Sequence, residues 1–275
     1  MTTTLTPVGA YTEGNQHRPA TRTKTSDLKA VPSALRSEWR KVASVRTYKV
    51  ILALNAVGGA LLSSSIARFA TDQPMYVSEV GFYWTTVSAI LATVVGILMF
   101  TSEGQHGTLA VTLTAQPARW VIAASKAAMA AATGAVIGAV GIAAGFGGSA
   151  IAGIEMGDTS TVATMTLWAL LYTGLSAVLG LGTGMVIRHS AGAVTGILVW
   201  SLAIEGLLNL VLPARAAQFL PFLAGGDRLL ALELSLDPEA AAVALTQPQA
   251  ALVFGGYALV ALTIGTLLLS RRDAA

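Results

Sequence analysis

Cysteine is absent from this chain of 275 residues, so neither a disulfide framework nor a thiolate metal site can form. Charge is scarce too. Only 11% of residues are charged, against about 25% in an ordinary soluble domain. Histidine is limited to His17, His106 and His189, and no HExxH occurs. No G-x-S-x-G is present, which removes the usual nucleophile elbow. No G-x-x-x-x-G-K-[ST] is present either, so the chain has no P-loop with which to cradle nucleotide phosphates. No cofactor is expected on this chain, and no nucleic-acid partner.

What the chain does have is apolar length. It is 54% hydrophobic with a mean hydropathy of +0.66. A membrane span takes roughly 20 apolar residues, and six stretches qualify, at about 48–70, 80–100, 120–145, 161–187, 191–212 and 249–270. They are continuous rather than short and alternating, which excludes a β-barrel. The fold class expected is an all-α membrane protein with six transmembrane helices. Gly134/Gly138, Gly141/Gly145, Gly180/Gly184 and Gly192/Gly196 have the GxxxG spacing that permits close helix approach, a spacing that also arises by chance in Gly-rich spans. Residues 1–31 are rich in Thr, Gly, Pro and charge without apolar period, and read as a disordered cytosolic tail. Residues 32–275 form the membrane domain.

Lysine and arginine orient the spans. With the N-terminus in the cytosol, only Arg68, Arg215 and Arg228 of the 17 basic residues fall on the outer side. Both termini are therefore expected inside. Tyr83 and Trp84 at the start of the second span, and Trp120 at the start of the third, read as interface anchors.

Two cytosolic segments then need explaining. "TSEGQHGTLAVTLTAQPARW", residues 101–120, is far longer than a turn between adjacent spans requires. Ser102 and Gln105 have capping-box spacing, Glu103 falls in the first turn, Leu109 and Leu113 share a face, and Pro117 stops the helix. Such a helix lies on the membrane or docks a cytosolic partner. "PSALRSEWRKVASVRTYKV", residues 32–50, starts at Pro32 and Ser33 and carries Leu35, Trp39 and Val42 on one face beside Arg36 and Arg40. That is the pattern of an amphipathic helix in the interfacial plane, its cations near anionic lipid headgroups.

These segments together resemble the bacterial ABC-2 type transporter permeases. The likeness rests on "SEWRKVASVRTYKV", on "SEGQHGTLAVTLTAQPARWVIAASK" with Glu103, His106, Gly107, Thr108, Leu113, Pro117, Arg119 and Lys126, and on "LVWSLAIEGLLNLVLPARAAQFLPFLAGGDRL" around Glu205. It covers about residues 32–272. The resemblance implies an N-terminal interface helix, a cytosolic coupling helix at 102–118 between spans 2 and 3, and an outer re-entrant hairpin between spans 5 and 6. It implies a bacterial cell membrane location, a homodimer or a pair of related permeases, and a separate ATP-binding subunit that carries ATP and Mg. The chain itself would not be an enzyme. Docking would fall to Glu103, His106, Gly107, Thr108, Leu109 and Leu113.

Three polar residues stand out within the spans. Glu205 sits in the fifth, with Asn209 four residues on and expected on the same face. A carboxylate at that depth faces a bundle interior or a cavity, so Glu205 either lines a path or ties the span to the outer segment. Lys126 lies about two turns into the third span and is expected to snorkel to the cytosolic surface. The apolar spans favour export of a hydrophobic or amphipathic cargo, drug-, peptide- or lipid-like. The rival reading is a membrane anchor or sensor that docks a cytosolic protein without transporting anything.

Overall fold

A computed structural model describes residues 24–69, 75–105, 107, 114, 118–230 and 244–272. Among these every regular element is a helix. Six helices are long and apolar enough to cross a membrane: Arg46–Phe69, Val77–Gln105, Arg119–Ile151, Val162–Ile187, Ser190–Val211 and Gln247–Arg271. They match the six stretches expected, and the architecture is that of a multi-pass membrane protein. The third, at 33 residues, is about 50 Å long. It must therefore rise out of a hydrocarbon core about 30 Å thick.

The N-terminal helix runs from Lys24 to Ser44 with Pro32 inside it, so two expectations are corrected. The helix does not start at Pro32, and residues 24–31 belong to it rather than to the tail. Proline removes one amide donor and crowds the preceding turn. Pro32 is two turns into the helix, so the carbonyl four residues before it lacks its amide donor there. The capping box is corrected as well. Ser102 does not begin a helix, because the second span continues to Gln105 and the Ser102 hydroxyl donates back to Leu98 O at 2.5 Å. The stop comes just beyond, where Gly107 takes φ +70°, the left-handed geometry glycine supplies at helix ends. His106, Thr108, Leu109 and Leu113 lie outside the described residues.

Small residues set the packing. Gly96 of the second span and Gly180 of the fourth each lie against a carbonyl of the opposite helix, Ala177 and Thr93 respectively. A methyl group at either position would overlap backbone. Gly134/Gly138, Gly141/Gly145 and Gly180/Gly184 all mark contacts between spans. The pair Gly192/Gly196 does not: Gly192 neighbours His189 and Ile187 at the turn between the fourth and fifth spans, and nothing lies near Gly196. Most hydroxyls inside the spans donate to a carbonyl three or four residues back, as Thr93, Thr173 and Ser176 do. That satisfies them within their own helix.

Asn55 is the exception, and it was not singled out in the sequence. Buried in the first span, it donates to Ile137 O of the third at 2.8 Å. It accepts from Trp84 Nε1 at 2.9 Å and Ser88 Oγ at 2.8 Å, both in the second. One amide thus fastens three helices, and Trp84 is half-buried among them rather than standing free as an interface anchor. Two apolar cores flank this layer. Phe82, Tyr172, Phe222 and Phe254 centre one, and Met99, Phe100, Leu181 and Met185 the other. The fifth span contributes least, with Leu202, Leu207, Leu210 and Val211 all exposed.

Replacing Asn55 with Leu leaves the Trp84 indole N–H unpaired in an apolar layer, while Ile137 O stays bonded within its own helix and Ser88 Oγ keeps its bond to Trp84 O. Such an orphan costs about 1–3 kcal/mol. We expect the Asn55→Leu protein in detergent to melt at least about 5 °C lower; an unchanged melting temperature would show that the three helices are held by packing alone.

Candidate functional site: a buried ion ring and a carboxylate-tied segment

At the end of the bundle where the chain leaves the second span and enters the third, four charged side chains close a ring. Lys126 Nζ meets Glu38 Oε2 at 2.9 Å and Glu103 Oε1 at 2.6 Å. Lys41 Nζ meets Glu38 Oε1 at 2.7 Å and the same Glu103 oxygen at 2.8 Å. Charges alternate around it and sum to zero. Lys126 is completely buried, and Glu38 and Glu103 nearly so. Lys126 does not snorkel, which corrects the expectation. A long stem permits an excursion to the surface, but two carboxylates within reach hold the ammonium inside.

Each member has a reason to be where it is. Glu38 and Lys41 lie three apart on the N-terminal helix, one turn's spacing, and so share a face. That face, not the Leu35/Trp39 edge, packs inward: over residues 31–44 Glu38 is the only buried residue, Leu35 and Val42 are half-buried, and Arg36, Trp39 and Arg40 are exposed. Glu103 sits in the last turn of the second span, the negative end of a helix dipole, where a carboxylate is disfavoured unless cations oppose it. Lys41 and Lys126 do so. Burial pushes the Glu38 carboxyl up, but the charge of Lys126 and the hydrogen bonds from both lysines outweigh it and hold it below its ordinary value. Burial likewise pushes the Lys41 ammonium down, yet its contacts with Glu103 and Glu38 leave it raised. A cavity of about 550 Å³ opens beside the ring, lined in part by Tyr48, Thr47 and Ser102.

The second constellation lies in the fifth span. Residues Trp200–Ile204 form a π turn, in which the Glu205 amide donates to Trp200 O. In an α-helix, residues five apart point about 140° apart. A π turn brings them nearly into line, and Trp200 Nε1 donates to Glu205 Oε2 at 3.0 Å. The other carboxylate oxygen accepts from the backbone N–H of Leu223. Leu223 belongs to the segment after Pro213, which folds back on the bundle and buries Ala217, Phe222 and Ala224. Phe222 joins the core that holds Phe82, Tyr172 and Phe254, its ring 6.1 Å from Phe254. Glu205 therefore ties the fifth span to the returning chain. Asn209, expected beside it, is exposed, because the segment covers only the turn that carries Glu205.

At the cytosolic end expected from the charge pattern, Gln105 Nε2 donates to Ser190 Oγ at 2.8 Å, joining the end of the second span to the start of the fifth. Among the described residues no three His, Asp or Glu side chains gather as a metal site. Glu103 and Lys126 stand out in the sequence but nothing there pairs them, and Glu38 and Lys41 do not stand out as site residues. Glu38 carried a signal: an acid amid the basic residues of a helix otherwise patterned for a membrane surface. No protein-family model matches this chain, and comparison with curated proteins finds no significant match.

Breaking a buried ion pair from one side costs about 3–5 kcal/mol, because the remaining charge stays buried. Lys126→Met should lower stability by about that much, and adding Glu38→Gln should recover at least half by restoring neutrality. Thermal melts of both variants in detergent test this, and additive losses would mean that the four charges do not act as a unit. Glu205 accepts two donors, so Glu205→Gln should lose one of its two bonds and about 1 kcal/mol, and Glu205→Leu both. A Glu205→Leu protein as stable as the parent would mean that the tie carries no weight.

Proposed function

We propose that this chain is the permease subunit of an ATP-driven ABC-2 type exporter. It forms the translocation pathway and relies on a separate ATP-binding subunit for hydrolysis. One observation carries the reading. The ion ring joins the N-terminal helix to both helices that flank the segment 106–118, the segment whose length, Leu109/Leu113 face and proline stop suit it to docking. A force applied to that segment by a partner reaches the second span through Glu103, the third through Lys126, and the N-terminal helix through Glu38 and Lys41. Helices coupled by a neutral buried ring move together, since separating them strands a charge in low dielectric.

In this reading the N-terminal helix lies along the inner face of a bacterial cell membrane, with Leu35 and Trp39 at the acyl boundary and Arg36 and Arg40 toward the headgroups. Both termini are cytosolic, as the distribution of lysine and arginine favours. The segment from Pro213 to Leu230 is a re-entrant hairpin at the outer exit, held by Glu205. The exposed apolar faces of the first and fifth spans, with Leu54, Leu61, Leu207 and Leu210, suit a second permease copy or a related one. The cargo is hydrophobic or amphipathic. Export rather than uptake rests on the family resemblance.

The tagged chain, purified from membranes of its own host, should bring an ATP-binding subunit with it, and the complex should hydrolyse ATP. Leu109→Asp with Leu113→Asp should cut recovery of that subunit about tenfold or more, as the loss of central apolar contacts does elsewhere. Failure of the parent chain to retain any ATP-hydrolysing partner would overturn the reading in favour of an anchor or sensor.

A further inference from the structure

We propose that the corner between the N-terminal helix and the first span is a binding site for one anionic phospholipid. The helix ends at Ser44 and the span begins at Arg46. Where the chain turns, both elements pack on the third span and leave a cleft of about 180 Å³. Its wall is apolar, with Val42, Leu52, Val136 and Ile137, and Trp39 and Lys49 also line it. No acidic side chain does. Trp39 and Val136 are each more than half exposed, at 60% and 51%, so the isolated chain leaves apolar surface uncovered at a depth where an acyl chain is the neighbour.

Lys49 identifies the headgroup. Among the described residues no carboxylate pairs with it, because the nearby acids, Glu38 and Glu103, are held by Lys41 and Lys126. It stands one turn into the first span, about 5 Å beyond Arg46. A cation there, above an apolar wall, matches a phosphate above an acyl chain. Arg46 and Arg40 are exposed nearby and add to the positive field. The indole of Trp39, apolar in body with one N–H, suits the glycerol-ester level between them. The site depends on the membrane architecture alone and not on the permease reading.

The test is native mass spectrometry of the full chain released from nanodiscs of equal phosphatidylglycerol and phosphatidylcholine with the same acyl chains. It requires no ATPase partner, so its outcome is independent of the function proposed above. The parent should retain one phosphatidylglycerol about fivefold over phosphatidylcholine, the weight of one juxtamembrane cation. Lys49→Gln should abolish the preference. Val136→Trp, a change at a half-exposed position, should fill the cleft and reduce retention of both lipids. Arg36→Gln, exposed and outside the cleft, should leave the preference intact. Equal retention by the parent would overturn the proposal. So would an equal loss in Arg36→Gln, which would reduce the effect to a diffuse field. If Val136→Trp splits a dimer while lipid retention is unchanged, a second copy of the chain occupies the cleft and the proposal fails.

Discussion

An ammonium group shielded entirely from water is affordable only beside a matching negative charge, and in this bundle that requirement organises one whole end. Lys126 is buried with Glu38 and Glu103, and Lys41 completes the neutral set. To bring those four together, the N-terminal helix must present Glu38 inward, and the second span must reach Glu103 before it stops. The third must begin far enough out for Lys126 to lie two turns inside it. The course of the chain on either side of residues 106–118 follows from that closure. The attraction itself adds little net stability once desolvation is counted. Its effect is to make other arrangements of these three helices costly, because each would strand a charge.

Elsewhere the bundle minimises its polar obligations. Hydroxyls turn back on their own helices, and glycines let spans approach backbone to backbone. Asn55 is the one amide shared by the first three spans. The fifth span follows a different rule. It buries almost nothing of its own, and Glu205 with the returning segment holds it. The result is a set of closely packed helices with one looser member, fastened at a single carboxylate on one side and by Gln105–Ser190 on the other. This loosely held span borders an apolar crevice of about 390 Å³, lined by residues of spans four to six and by Pro221 and Phe222, and it is the member of the bundle with the least holding it in place.

That mechanical division suits a transport subunit driven from one face. The ring gathers the elements nearest the proposed docking segment into one body. The Glu205 tie sits toward the opposite side, where a cargo would leave. A lipid held at the corner of the N-terminal helix would brace the same body against the leaflet. Ring, tie and cleft each involve the N-terminal helix or the second, third or fifth span.

Span number, span positions and the all-helical class were legible in the sequence, because burial in hydrocarbon demands continuous apolar length and each stretch meets that demand by itself. Glu205 was legible as an anomaly for the same reason. Helix ends were less so: Ser102 has the spacing of a start, yet the span runs through it to Gln105, since a cap motif is only a local preference that tertiary contacts override. The partners of the polar residues were not legible at all. Pairing Lys126 with Glu38 joins residues 88 positions apart. Trp200 reaches Glu205 only because a π turn departs from the 3.6-residue period on which sequence reading relies. Local composition determined what must be buried in lipid. Only the tertiary structure decided which charges meet, because that depends on how whole helices are placed against one another.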